Sequence, residues 1–276
     1  MKPSRPILCG LTFPFRSLAV IQRTALALLV ATCATFATLA CAQAPKELEY
    51  EPTPFQEGKD VVWVPTPQVV VDKMLDLAKV TQADFVMDLG SGDGRTVITA
   101  ARRGARALGI EYNPDLVALS KRNAAKNGVA DRAEFVKADL FETDFSKATV
   151  ITMFLLPDIN LKLRPKILGL APGTRIVSNT FTMGDWLADD SVDLSPGGRC
   201  EVSWCTALLW LVPAQAAGSH DTPHGRLVLT QAFQKLTGTL DSQNITNGKV
   251  TGTEVAFTAG GREYRGRMNG RNLELR

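Results

Sequence analysis

An α/β fold with a mostly parallel sheet and helices on both faces, followed by a small antiparallel β module, is predicted by three observations. Between residues 63 and 218, short apolar runs alternate with helical stretches at the spacing of βαβ units. A glycine-rich turn, DLGSGDGR from Asp88 to Arg95, joins the first of these runs to its helix. From residue 219 onward the helical period is lost. Closely spaced short runs, split at Asn247-Gly248 and Gly260-Gly261, then read as an antiparallel meander.

Each element has a local reason. Thr66-Pro67 opens a helix with a hydroxyl at the N-cap and proline at the first helical position, and VVVDKMLDLAKV continues it with a broad apolar face. DFVMDL (84–89) reads as a buried strand, 94–103 as a helix, ALGIE (107–111) as a strand, and 113–127 as a helix closed by Asn127-Gly128. AEFVKA (133–138) and ATVITMFLL (148–156) are the third and fourth strands. LKLRPKILGL (161–170) is a proline-interrupted helix, TRIVSNTF (174–181) a fifth strand, and CTALLWLV (205–212) a further central strand. RLVLTQAF, KLTGTL, KVTGTEVAFTA, REYRGRM and NLELR make up the module over 219–276. The stretch AAGSHDTPHG, with His220 and His224, reads as a solvated linker before it and not as a metal site.

Composition bounds the class: 45% hydrophobic and 21% charged residues with a mean hydropathy of +0.01 exclude disorder, collagen-like sequence and a multi-span membrane protein. The net charge of +3 is unevenly spread. Residues 1–42 carry Lys2, Arg5, Arg16 and Arg23 and no acid, residues 43–218 are four units negative, and 219–276 are three units positive. An uncharged run over 24–42 follows the basic stretch and ends in Ala40-Cys41-Ala42, the layout of a secretory signal peptide occupying 1–42. An uncleaved membrane anchor or a lipid-modified Cys41 is the alternative, with membrane contact confined to this leader. The expected location is periplasmic or secreted, or an organelle if the source is eukaryotic. Residues 43–62, rich in Pro and Glu and without periodicity, suit a tether. Cys200 and Cys205, placed on one extended strand, would lie about 16 Å apart and are expected as two packed thiols. A near-neutral mature chain is not expected to track nucleic-acid phosphates.

The chemistry lies in the loops. Gly90, Gly92 and Gly94 allow close approach of a ligand to the backbone at the C-terminal edge of the sheet. Glu111, ending the second strand, is placed for a ribose diol. Asp139, in KADLF, is available for an adenine amino group. Dinucleotide binding wants a third glycine where Arg95 stands, and Asp88 would repel a pyrophosphate; a sulfonium cofactor reverses that electrostatics.

DLGSGDGR, GIEYNPDLV and KADLF together resemble the motifs of class I S-adenosylmethionine-dependent methyltransferases. With VPTPQVVVDKML and DLFETDFSKATVITMFLLPDIN, residues 60–190 resemble bacterial relatives of the ATP synthase c-subunit lysine N-methyltransferases. The resemblance implies a Rossmann-like seven-stranded sheet over 63–218 and S-adenosyl-L-methionine as cofactor, held by Thr66, Asp88, Gly90, Gly92, Glu111 and Asp139. It also implies a protein lysine or other amine as acceptor. After the fourth strand, Phe154-Leu155-Leu156-Pro157-Asp158 offers an apolar lip for an amine, with Phe154 and Pro157 in the substrate pocket. Asp158 is either an amine ligand or simply the acid that opens a helix. Trp186 either walls the substrate pocket or packs in the core. The competing function is an exported, non-catalytic binding protein that keeps the fold, since the cofactor is made in the cytoplasm.

Overall fold

Residues 50–276, apart from 196 and 198, are described by a computed structural model; the expected leader at 1–42 and the start of the tether lie outside them. Four helices and seven strands make the first layer system: α1 (Gln68–Leu77), β1 (Phe85–Leu89), α2 (Arg95–Arg102), β2 (Arg106–Glu111), α3 (Pro114–Lys126), β3 (Ala133–Lys137), β4 (Val150–Met153), α4 (Pro157–Leu168), β5 (Arg175–Asn179), β6 (Asp190–Asp193) and β7 (Thr206–Leu211). The strand order is β3-β2-β1-β4-β5-β7-β6, with β1 to β5 parallel and β7 antiparallel to both neighbours. The order reverses between β1 and β4, which opens a crevice at their C-terminal ends.

Strand alternation sorts the two cores. Val86 and Val150 point to the face covered by α1, α2 and α3, while Met87, Leu89, Ile151 and Met153 point to the face covered by α4. Two helical starts differ from expectation. Pro67, not Thr66, is the N-cap residue of α1, and no side chain caps it. Helix α4 begins at Pro157, four residues early, because extended Leu156 followed by proline is itself a helix start; Pro165 is tolerated inside it. The 205–212 run forms β7 between β5 and the short, largely exposed β6, whose DSVD sequence has Val192 as its one apolar residue, too little to mark a strand.

Cys200 and Cys205 form a disulfide, against the expectation of two thiols. The five-residue span is not extended: β7 begins only at Thr206, and the loop before it turns so that the two Cα atoms lie 6.0 Å apart.

The second sheet comprises β8 (Gly218–Thr222), β9 (Gly225–Ala232), β10 (Lys235–Leu240), β11 (Gln243–Asn244), β12 (Thr246–Thr251), β13 (Glu254–Ala259), β14 (Arg262–Asn269) and β15 (Asn272–Leu275). It is antiparallel, with β15 returning beside β8 so that the sheet nearly closes around Leu229, Val250, Phe257 and Met268. The stretch expected as a solvated linker is therefore a strand and turn: His220 Nε2 bonds the Ala216 carbonyl, and His224 packs edge-on to Tyr264. The two sheets are joined by Ala214 N donating to Gly252 O (2.7 Å), Gln234 Nε2 donating to Leu187 O (2.7 Å), and the Lys249–Asp189 ion pair (2.9 Å).

Candidate active site at the ends of the parallel strands

The loop after β1 folds over the end of β2, with the Gly90 and Ser91 amides both donating to the Ile110 carbonyl. Gly90, Gly92 and Gly94 all have positive φ, the conformation the motif's glycines were expected to supply. At Gly92 the requirement is double, since φ is +53° and a Cβ would lie 2.5 Å from Trp63 Nε1. Glu111 closes the loop from the side: one carboxylate oxygen accepts from Gly92 N (2.9 Å) and the other from Asn113 N (2.9 Å). Its remaining lone pairs face a cleft lined by Gly90, Ile110, Tyr112, Asp139, Leu140, Phe154 and Leu155, about 760 Å³ including its open mouth.

Asp88 lies behind this loop and not in the cleft lining. Period two along β1 turns it to the Val86 face, where it is buried and accepts a 2.6 Å bond from Thr152 Oγ1 on β4. Burial raises its pKa to about 7, helped by the nearby Glu111 and Asp93 charges and opposed by the Thr152 bond. Thr66 also lies outside the lining, at the foot of α1, where its carbonyl accepts from Arg95 Nη1 (2.9 Å). Arg95 in turn is clamped on both oxygens of Asp93. These residues hold the glycine loop against α1.

Asp139 faces the cleft. Its Oδ1 accepts from Phe141 N (2.9 Å) and its Oδ2 from Lys59 Nζ (2.6 Å), so its pKa is lowered and that of Lys59 raised. Lys59 belongs to the segment expected as a tether, whose residues 56–62 line the cleft together with Trp63 and Val64.

A second pocket opens beside the first and shares Val61, Val62, Val64 and Phe154 with it. Leu156, Phe181 and Trp204 complete its wall. Phe154 and Phe181 stack at 5.6 Å between centroids. Phe181 is set by a strained turn, with Thr180 at φ 60° and the Phe181 carbonyl accepting from Ser178 Oγ (2.8 Å) and the buried Asn160 Nδ2 (3.3 Å). Trp204 comes from the disulfide loop and meets Phe55 edge-on.

Of the residues expected in the substrate pocket, Phe154 is there. Trp186 is not: it is fully buried against Trp210 and Phe233 at the seam between the sheets, and Trp204 takes the wall position instead. Pro157 and Asp158 are exposed in the first turn of α4 and line neither pocket; the helix N-terminus is reason enough for an acid at 158. Lys59, Tyr112, Phe181 and Trp204 were missed. Tyr112 had a signal, an aromatic directly after the strand-ending acid; Lys59 sits in an aperiodic stretch and had none.

Glu111, Asp139 and the positive-φ glycines suit a ligand that brings hydroxyls and an amino group close to the backbone. The family model for the ANTKMT methyltransferase domain matches residues 88–190. A protein-lysine N-methyltransferase of Saccharolobus islandicus is 46% identical over 50% of this chain and 87% of its own length. The human lysine N-methyltransferase of the ATP synthase c-subunit is 32% identical over 56% of this chain and 70% of its own. A crystal structure described as an RNA methyltransferase from Salinibacter ruber, in complex with S-adenosyl-L-homocysteine, is 51% identical, with a TM-score of 0.51 over 55% of this chain and 95% of that one. The cofactor is S-adenosyl-L-methionine, and the chain belongs to the class I S-adenosylmethionine-dependent N-methyltransferases related to the ATP synthase c-subunit lysine methyltransferases.

Proposed function

We propose that the protein methylates a primary amine, a protein lysine side chain foremost, and that it works outside the cytoplasm. The observation that carries the acceptor reading is the apolar pocket of Val61, Val62, Val64, Phe154, Leu156, Phe181 and Trp204, continuous with the cofactor cleft. Such a wall suits the four methylenes of a lysine stem. It also does chemical work. A lysine ammonium in water has a pKa near 10.4, and stripping its hydration favours the neutral amine. Stacked Phe154 and Phe181 restrict the approach of that amine to the shared wall between the two pockets, so orientation supplies much of the rate.

Glu111 is proposed to hold the ribose hydroxyls, Asp139 the adenine amino group, and the Gly90 to Gly92 backbone the approach to the amino-acid part. Asp88, Thr66 and Arg95 position that loop from behind. S-adenosylmethionine supplies the electrophile, a methyl group on a sulfonium sulfur. The neutral amine nitrogen would form its bond to the methyl carbon as the methyl–sulfur bond breaks, the electron pair staying on sulfur so that S-adenosylhomocysteine leaves uncharged at that atom. The proton the amine sheds would leave through the open mouth to solvent.

The lysine N-methyltransferase relatives support the acceptor class. Export is supported by the leader-like first 42 residues and by the Cys200–Cys205 disulfide, a bond that persists in oxidising compartments. The test is incubation of the full chain with methyl-labelled S-adenosylmethionine, lysine-bearing protein extract and, separately, RNA. Label on lysine is the expected result; label on RNA, the acceptor named for the Salinibacter ruber structure, overturns it. Cell fractionation with sequencing of the mature N-terminus tests export, and a cytoplasmic chain with an intact leader sinks it.

A further inference from the structure

The acid assigned to adenine already has a partner from its own chain. Residues 50–64 double back as a strap: Phe55 N donates to Trp63 O (2.8 Å) and Trp63 N to Gln56 O (2.9 Å). Gln56 is tied in turn to Tyr50 Oη (2.6 Å) and to Thr53 N (3.0 Å). The tip of the strap is tight, since a Cβ at Gly58 would lie 2.2 Å from the Val61 carbonyl oxygen. That turn delivers Lys59 into the cleft. Its Nζ lies 2.6 Å from Asp139 Oδ2, 5.0 Å from the centroid of Tyr112 and 5.9 Å from that of Phe141.

A carboxylate flanked by two aromatic faces is also what an adenine would use, the acid for its exocyclic amino group and the rings for its π-face. An ammonium held by the same three groups occupies the same slot. We propose that Lys59 is an intramolecular competitor for the adenine subsite, displaced when the cofactor enters. The proposal rests on the assignment of Asp139 to adenine. It carries a kinetic consequence. The strap that bears Lys59 also contributes Val61, Val62 and Val64 to the acceptor pocket, so moving its tip resets that wall. Cofactor entry then precedes completion of the acceptor pocket, giving ordered binding.

Calorimetric titration of the full chain tests this with S-adenosylhomocysteine and with adenosine. Neither carries a sulfonium, so relief of charge repulsion cannot mimic displacement. Lys59→Ala and Lys59→Met are each expected to bind both ligands about three- to tenfold more tightly, the scale of an exposed ion pair plus a cation–π contact. Unchanged or weaker binding in both variants overturns the competition. Asp139→Ala, made on the Lys59→Ala background, takes away the acceptor altogether and separates the two ideas. Loss of affinity there without a gain from Lys59→Ala removes the competition alone, whereas unchanged affinity there removes the adenine assignment and the proposal with it.

Discussion

The two halves of the cleft are built from different material. The cofactor half hangs on the ends of β1, β2 and β3, where backbone amides fix the Glu111 carboxylate and the sheet fixes the backbone. The proposed acceptor half takes Phe154 and Leu156 from beyond β4 and Phe181 from beyond β5, but the rest of its wall comes from an irregular strap and a disulfide loop. The strap lines both halves, but beneath it one half is anchored by regular hydrogen bonding and the other by side-chain packing between segments far apart in the chain.

The largest effect expected is on the first half. Glu111→Ala leaves the Gly92 and Asn113 amides without their acceptor and removes the proposed ribose contact, so cofactor affinity is expected to fall by about 30- to 1,000-fold by calorimetry. Unaltered affinity would break the division between the halves. Asp88 sharpens it by pH. Its carboxyl keeps a proton in the fold up to about pH 7, while the unfolded chain loses it near the ordinary value of 3.8, so stability falls as pH rises between these points. Asp88→Asn removes that loss. Denaturant unfolding should find the variant level with wild type near pH 4 and more stable by on the order of 2–4 kcal/mol at pH 8; a constant difference at both pH values contradicts the buried, protonated carboxyl.

The acceptor half should respond in KM. Phe181→Ala is expected to raise the acceptor KM about tenfold, some 1.4 kcal/mol, with the cofactor dissociation constant unmoved. Cys200→Ser with Cys205→Ser loosens the loop behind Trp204 and should act in the same direction by about threefold; an equal fall in cofactor affinity would mean that the halves are not separable. Smallest of all is Glu254→Ala on the distant β module, whose exposed pair with Arg267 is worth less than about 0.5 kcal/mol by thermal unfolding and should leave both halves unchanged.

The same division decided what could be read in advance. The glycine loop, Glu111 and Asp139 were visible because strand, turn and acid lie next to one another in the chain. Trp186 and Trp204 show the opposite case. Both are tryptophans in irregular stretches, and only long-range packing sends one to the core and the other to the pocket. Asp88 was recognised as part of the motif, but its direction follows from the register with Thr152, which pairs strands 64 residues apart. The disulfide was missed because extended geometry was assumed for five residues that turn.

The chain's four tryptophans fall into two pairs, a half-buried one in the cleft, Trp63 and Trp204, and a fully buried one at the seam between the sheets, Trp186 and Trp210. The cleft pair is open to a soluble quencher such as iodide, whereas the seam pair, 6.3 Å apart and with Trp186 stacked on Phe233, is shielded until the β module parts from the larger sheet. A single emission spectrum therefore carries two separable signals, a quenchable fraction that follows ligand entry and a protected fraction that follows the joint between the two sheets.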